Sequence, residues 1–231
     1  MALAGLLALP ALALGWVDWP DARAGAWGVD TAAPWATEGP AHPLAAQLLW
    51  QRGATGLRAA WQLITAAWVH GSAVHLAANL AGTVVVALLG MTLLRRPRAA
   101  RQAALAWLLS WPLTHAGLGL DERLLFYAGA SGVLHAGVAV LGWAALMQAG
   151  AGRTAAPPAS ARSAPRLRLI GGLLLAGLAA KVLGEAPWSH ALLHRPGLGL
   201  PIAPLAHATG AVAGLICALL CLRGEDGVRP G

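Results

Sequence analysis

Charge is what this chain has least of. Only 11% of its 231 residues are charged, whereas 58% are hydrophobic and the mean hydropathy is +0.62. A soluble domain carries about 25% charged residues. The shortfall excludes an ordinary water-soluble fold and predicts an all-α, polytopic membrane protein forming one domain over residues 1–231. Cysteine is nearly absent as well. Cys217 and Cys221 lie four apart in one apolar stretch, on one helical face, where they are too constrained to pair with each other. That rules out a disulfide framework and leaves the redox compartment open. No HExxH motif and no internal repeat is present, and no cysteine or acid is spaced to complete a metal site. The net charge of +7 could suggest a nucleic-acid partner. Most of the arginines instead cluster between apolar runs, a pattern that belongs to membrane topology.

What is present is a set of long apolar runs. A bilayer crossing needs about 20 apolar residues. Six spans are predicted, over 2–17, 72–94, 102–120, 130–149, 167–183 and 202–222. The first is short but lacks the basic start of a signal peptide, so it reads as a retained helix. Pro112 should kink the third. Arg95, Arg96, Arg98 and Arg101, then Arg153, Arg162, Arg166 and Arg168, then Arg223 and Arg229, all fall on one side of this topology. The positive-inside rule makes that side cytoplasmic, and with it both termini. Residues 18–60 form an outer loop whose Trp19, Trp27, Trp35 and Trp50 favour the membrane interface. Residues 150–166, rich in Ala, Pro, Ser and Gly, read as a flexible cytoplasmic linker.

Polar side chains at membrane depth are expensive and ask for a reason. Ser131 lies at the beginning of span four and His207 near that of span six, while His70, His75 and Asn79 lie at the beginning of span two. These three spans run in the same direction, so all five residues share one shallow depth beneath the outer surface. A nucleophile, a base and oxyanion donors would account for the set. A serine at a helix N-terminus has backbone N–H groups and the helix dipole beside it, and it needs an adjacent base. Gly210 and Gly214 share a helical face with His207, and Gly132 and Ala136 form a matching small surface on span four. These patterns predict that the helices carrying Ser131 and His207 touch. No acid lies near His207 within its span, so a Ser–His dyad is expected and not a triad.

Each residue also has a plainer reading. Serine is a common small packing residue in membrane helices. His75 and Asn79, four apart on one face, could simply bond between helices, worth about 0.6–2 kcal/mol. His70 suits a bond to loop backbone. His135, one turn below Ser131, could pack beneath His207 and orient it, or could be a buried imidazole bonded to a carbonyl. His42, His115, His190 and His194 lie in or near outer loops and are given no role. A zinc site would require histidines from three helices to converge; no metal and no cofactor is expected.

Taken together these residues resemble the rhomboid family of intramembrane serine proteases. The resemblance runs from Trp61-Gln62 through the segment from His70 to Asn79, then Gly129-Ala130-Ser131-Gly132, then Ala206-His207 with Gly210 and Gly214. It implies a rhomboid-like bundle of six transmembrane helices with a cavity open to the outside. It implies Ser131 as nucleophile, His207 as base, and Asn79, His75 and the Ser131 N–H as the oxyanion hole, supported by His135, His70, Gly129, Gly132 and Gly210. Span five and the loop 183–201 look like the family's lateral gate and cap. Many members carry Trp-Arg where this chain has Trp61-Gln62, and many carry tyrosine where His135 stands. Histidine there is similar to the rhombosortase branch, which removes C-terminal glycine-rich sorting tails from proteins of Gram-negative bacteria. The implied partners are transmembrane substrates and the bilayer, without nucleic acid, and the implied site of action is the bacterial inner membrane. Two other classes fit less well: a catalytically inactive rhomboid-like protein that binds transmembrane helices, and a transporter or proton relay, against which the lack of intramembrane acids and repeats counts.

Overall fold

The computed structural model describes residues 2–15, 43–94, 96–151, 164–193 and 202–222. Among them are eight α-helices: α1 (Ala2–Leu14), α2 (Pro43–Leu48), α3 (Gly56–Thr65), α4 (Ala73–Leu93), α5 (Pro97–Ala116), α6 (Ser131–Ala151), α7 (Ala164–Gly184) and α8 (Pro204–Cys221). Two short strands, β1 (Trp50–Gln51) and β2 (Phe126–Tyr127), pair antiparallel with Trp50 opposite Tyr127. Trp19, Trp27, Trp35, Arg95, Arg153, Arg162, Arg223 and Arg229 lie outside the described residues, as do most of the expected linker and residues 194–201 of the expected cap.

Four helices, α4, α6, α7 and α8, are long and apolar enough to cross a bilayer. Their outward faces are apolar too. Val84, Val85, Leu88 and Met91 on α4, Leu169 and Leu173 on α7, and Val212, Ile216, Leu219 and Leu220 on α8 are all exposed. A soluble surface does not carry so much contiguous apolar area, whereas lipid accepts it. The chain is a membrane protein.

The other two expected spans differ from that description. α1 has 13 residues, fewer than the 16 expected, yet Leu7 and Ala11 are buried and Trp68 Nε1 donates to the Leu6 carbonyl at 3.0 Å. α5 begins at Pro97, five residues before the expected start, because proline suits the first turn of a helix. The polar residues of its second half face inward. Thr114 donates to Ser110 O (2.7 Å), Trp107 to Val133 O (2.7 Å), Trp111 to Ile64 O (3.1 Å) and His115 to Leu63 O (2.6 Å). His115 is therefore a fully buried bond donor at the end of α5, not a loop residue.

α6 is the central helix. In its apolar stretch 67% of residues are buried, against 11% in α7, which lies at the periphery. α6 and α8 meet backbone to backbone. A Cβ on Gly132 would sit 2.6 Å from the Ala206 carbonyl oxygen. One on Gly210 would overlap the Gly132 carbonyl, and one on Gly214 the Ala136 carbonyl. The small-residue contact read from the sequence is present in the fold. Lipid tails are as apolar as the side chains, so close packing, and not the hydrophobic effect, holds such a pair together.

Gly210→Ala should lower the Tm of the detergent-solubilised protein by an overpacking cost of about 1–3 kcal/mol. Gly177→Ala on α7, where a Cβ meets nothing within 4 Å, should leave Tm unchanged or raised. Equal effects would show that the α6–α8 contact is not close.

Candidate active site

Helix geometry places Ser131 first. α6 begins at Ser131 itself, directly after β2 and Gly129, whose φ of +127° disfavours any residue with a side chain. The Gly129 N–H donates to the Ala66 carbonyl at 2.9 Å, and Trp50 pairs with Tyr127. The start of α6 is thus tied down from both sides. Tyr127, the one tyrosine in the chain, is buried with its hydroxyl 3.4 Å from Ser131 Oγ.

His207 lies in the first turns of α8, 3% exposed. Its Nε2 is 3.0 Å from Ser131 Oγ, across 76 residues of sequence. His135 stacks on the His207 ring with centroids 4.0 Å apart and planes within 12°. His135 Nδ1 donates to the Ser131 carbonyl at 2.6 Å. His135 is thus both bonded to a carbonyl and stacked on His207.

α4 supplies the remaining residues. The Ser72 side chain caps α4 by accepting from the His75 N–H at 3.1 Å. His75 and Asn79 lie on the face turned toward Gly129. A Cβ there would fall 2.6 Å from the His75 ring and 3.7 Å from Asn79 Nδ2. Asn79 Nδ2 and His75 Nδ1 are buried without a hydrogen-bond partner among the described residues. Such groups are rare, and each calls for an explanation. His70 packs edge-on to His75 with centroids 5.0 Å apart, and its Nδ1 donates to the Trp68 carbonyl at 3.2 Å. It is structural in this respect, as read. Burial lowers its pKa to about 4 against the effect of that bond, so it is neutral at physiological pH. No cluster of three metal-ligating side chains occurs among the described residues.

The structure adds groups that the sequence argument missed. Arg52 reaches from the loop after β1 to the Leu124 carbonyl at 3.0 Å and to the Asp121 carbonyl. These bonds tie the segment after β1 to the segment before β2. Gln62 is buried, accepting from the Gln51 N–H and donating to the Gln47 carbonyl, each at 3.2 Å. Trp50, expected at the membrane interface, is 8% exposed and packs inside the protein with Leu118, Leu124 and Tyr127. Between α5 and β2, the Arg123 guanidinium beside Asp121 holds that carboxyl below its usual range.

Most important is an acid. The expectation of a bare dyad rested on the span of His207 alone. Glu185, just past the end of α7, places Oε2 2.6 Å from His207 Nδ1. The described geometry is therefore serine–imidazole–carboxylate. In such a chain the hydroxyl proton can pass to the imidazole while the carboxylate holds the ring.

A family model of the rhomboid domain matches residues 57–224. The chain belongs to the rhomboid family. Most members of this family are intramembrane serine proteases, and the match supports a protease-type function for this rhomboid. No curated protein and no solved structure matches the chain.

Gly129→Ala should slow labelling of Ser131 by a fluorophosphonate about tenfold or more, equivalent to roughly 1.4 kcal/mol. The added methyl would push the His75 ring and strain the backbone. Gly119→Ala, where a Cβ meets nothing within 4 Å, should label at the wild-type rate.

Proposed function

We propose that this rhomboid is an intramembrane serine endopeptidase of the bacterial inner membrane that removes glycine-rich C-terminal sorting tails near the periplasmic face. The observation that carries the protease reading is the 3.0 Å contact between Ser131 Oγ and His207 Nε2 at the head of two apolar helices. α1 and α5 join the four long apolar helices in a six-helix bundle of one domain, with α1 retained and both termini cytoplasmic. The site faces the periplasm, from which water reaches it.

In this reading a substrate helix enters laterally and unwinds near small residues. Ser131 Oγ attacks the scissile carbonyl carbon as its proton moves to His207 Nε2. The carbonyl π pair moves onto oxygen, where the Ser131 N–H, Asn79 Nδ2 and His75 donate to it. The unpartnered state of Asn79 Nδ2 in the resting site supports this role, since a donor held for a developing oxyanion has nothing to bond beforehand. His207 then returns the proton to the leaving amine nitrogen as the C–N bond breaks. Water, activated in turn by His207, releases the acyl-enzyme; in a sorting enzyme an amine could take its place. His135, stacked on His207, supports the assignment to the tail-removing branch, where the resemblance in sequence also lies.

The test is co-expression with a tagged protein ending in a glycine-rich motif, an apolar helix and an arginine tail. Wild type should produce a new C-terminus at the glycine-rich site, read by immunoblot and mass spectrometry. Ser131→Ala should abolish it. Asn79→Ala should lower the rate by about 10²–10³. Undiminished cleavage with Ser131→Ala would refute the mechanism, and cleavage of other membrane helices but not this one would refute the sorting-tail specificity.

A further inference from the structure

We propose that Glu185 is a positioning residue for His207, making the site a Ser131–His207–Glu185 triad; this rests on the assignment of Ser131 and His207 above. The carboxylate is 4% exposed although it stands beyond the last turn of the peripheral helix α7, where an outward rotamer would reach solvent. A buried carboxylate is costly unless both oxygens are bonded. Here Oε2 meets His207 Nδ1 at 2.6 Å, and Oε1 meets the Nζ of Lys181, the one lysine in the chain, at 2.5 Å.

The backbone is shaped to deliver it. Ala186 has φ +46°, the left-handed region that favours glycine over a residue with a side chain. Its carbonyl accepts from the Ser189 N–H at 2.8 Å, closing a turn directly after Glu185. The loop returns to α8 through paired 2.8 Å hydrogen bonds between Leu193 and Ile202. A left-handed residue is a common helix stop; what an ordinary stop does not produce is a 4% exposed carboxylate 2.6 Å from the base.

Stacking explains why an acid is needed. His135 holds the plane of the His207 ring but leaves open the half-turn about Cβ–Cγ that preserves that plane. The bond from Nδ1–H to Glu185 removes this freedom and sets the tautomer, leaving the Nε2 lone pair for the Ser131 hydroxyl. When the serine proton moves to Nε2, Glu185 stays ionised and stabilises the imidazolium; the same proton later leaves with the amine. Acid and base come from different helices, so the triad is complete only while α7 is docked.

The test uses the full-length protein in detergent and a fluorophosphonate, which needs no natural substrate, with the saturable binding and inactivation constants separated. Glu185→Gln keeps shape but not charge. It should lower the inactivation rate constant by at least about 100-fold, where loss of the acid in well-studied serine hydrolases costs about 10⁴-fold, with the binding constant unchanged. Glu185→Asp should recover at least tenfold of that loss. Tm measured on each variant restricts the comparison to folded protein. Loss of less than tenfold in Glu185→Gln, loss confined to the binding constant, or equal impairment of the Gln and Asp variants would overturn the proposal. No labelling of wild type above the Ser131→Ala background would instead overturn the protease reading beneath it.

Discussion

The backbone contact between α6 and α8 is the constraint on which everything else depends. Gly132 and Ala136 face Gly210 and Gly214 so closely that one added methyl would enter a carbonyl oxygen. In a bilayer no hydrophobic gain separates protein contact from lipid contact, so helices associate where backbones can approach. Gly132 follows Ser131 directly, and Gly210 lies three residues after His207. The small residues that set the distance between the helices therefore set the distance between the hydroxyl and the imidazole. A larger residue at either position would separate the helices by more than a hydrogen bond can span.

Around that contact the fold deals with polar groups that lipid would not tolerate. α5 turns its serine, threonine, histidine and two tryptophans inward and satisfies them on carbonyls of α3, α5 and α6. Its opposite face is apolar and exposed, at Leu105, Leu108, Leu109 and Leu113. The same accounting reaches the site. Asn79 Nδ2, beside Gly129, and His75 Nδ1, on the ring that packs against Gly129, are left without partners. His70 Nε2, His115 Nε2 and Trp143 Nε1 are unpartnered as well, so it is the position of Asn79 and His75 next to Gly129 that sets them apart.

Much of this was legible along the chain. The three helices that carry the candidate residues run over nearly the predicted boundaries, and Ser131, His207, His75 and Asn79 all fall in their first turns. His135 was legible as a support because a spacing of four puts it on the face of Ser131. Three features were not. Arg52 acts through carbonyls about 70 residues away, and carbonyls leave no mark in a sequence. Trp50 looks like an interfacial tryptophan until β1 pairs with β2 and draws it inside. Glu185 looks like one more acid in an outer loop; the signal available was the lone lysine four residues before it, an ion pair at the end of an otherwise apolar helix.

The sequence by itself determined the membrane class, the helical architecture, the faces that pack and the residues able to supply serine-hydrolase chemistry. These follow from hydropathy, helical periodicity and small-residue spacing, which are local properties of the chain. Only the tertiary structure decided what meets His207 on its far side. That contact joins the end of one helix to the start of another across a turn at Ala186, 22 residues apart in sequence. Its direction depends on a single backbone torsion and on how α7 leans on α6, and neither is encoded in any periodic pattern.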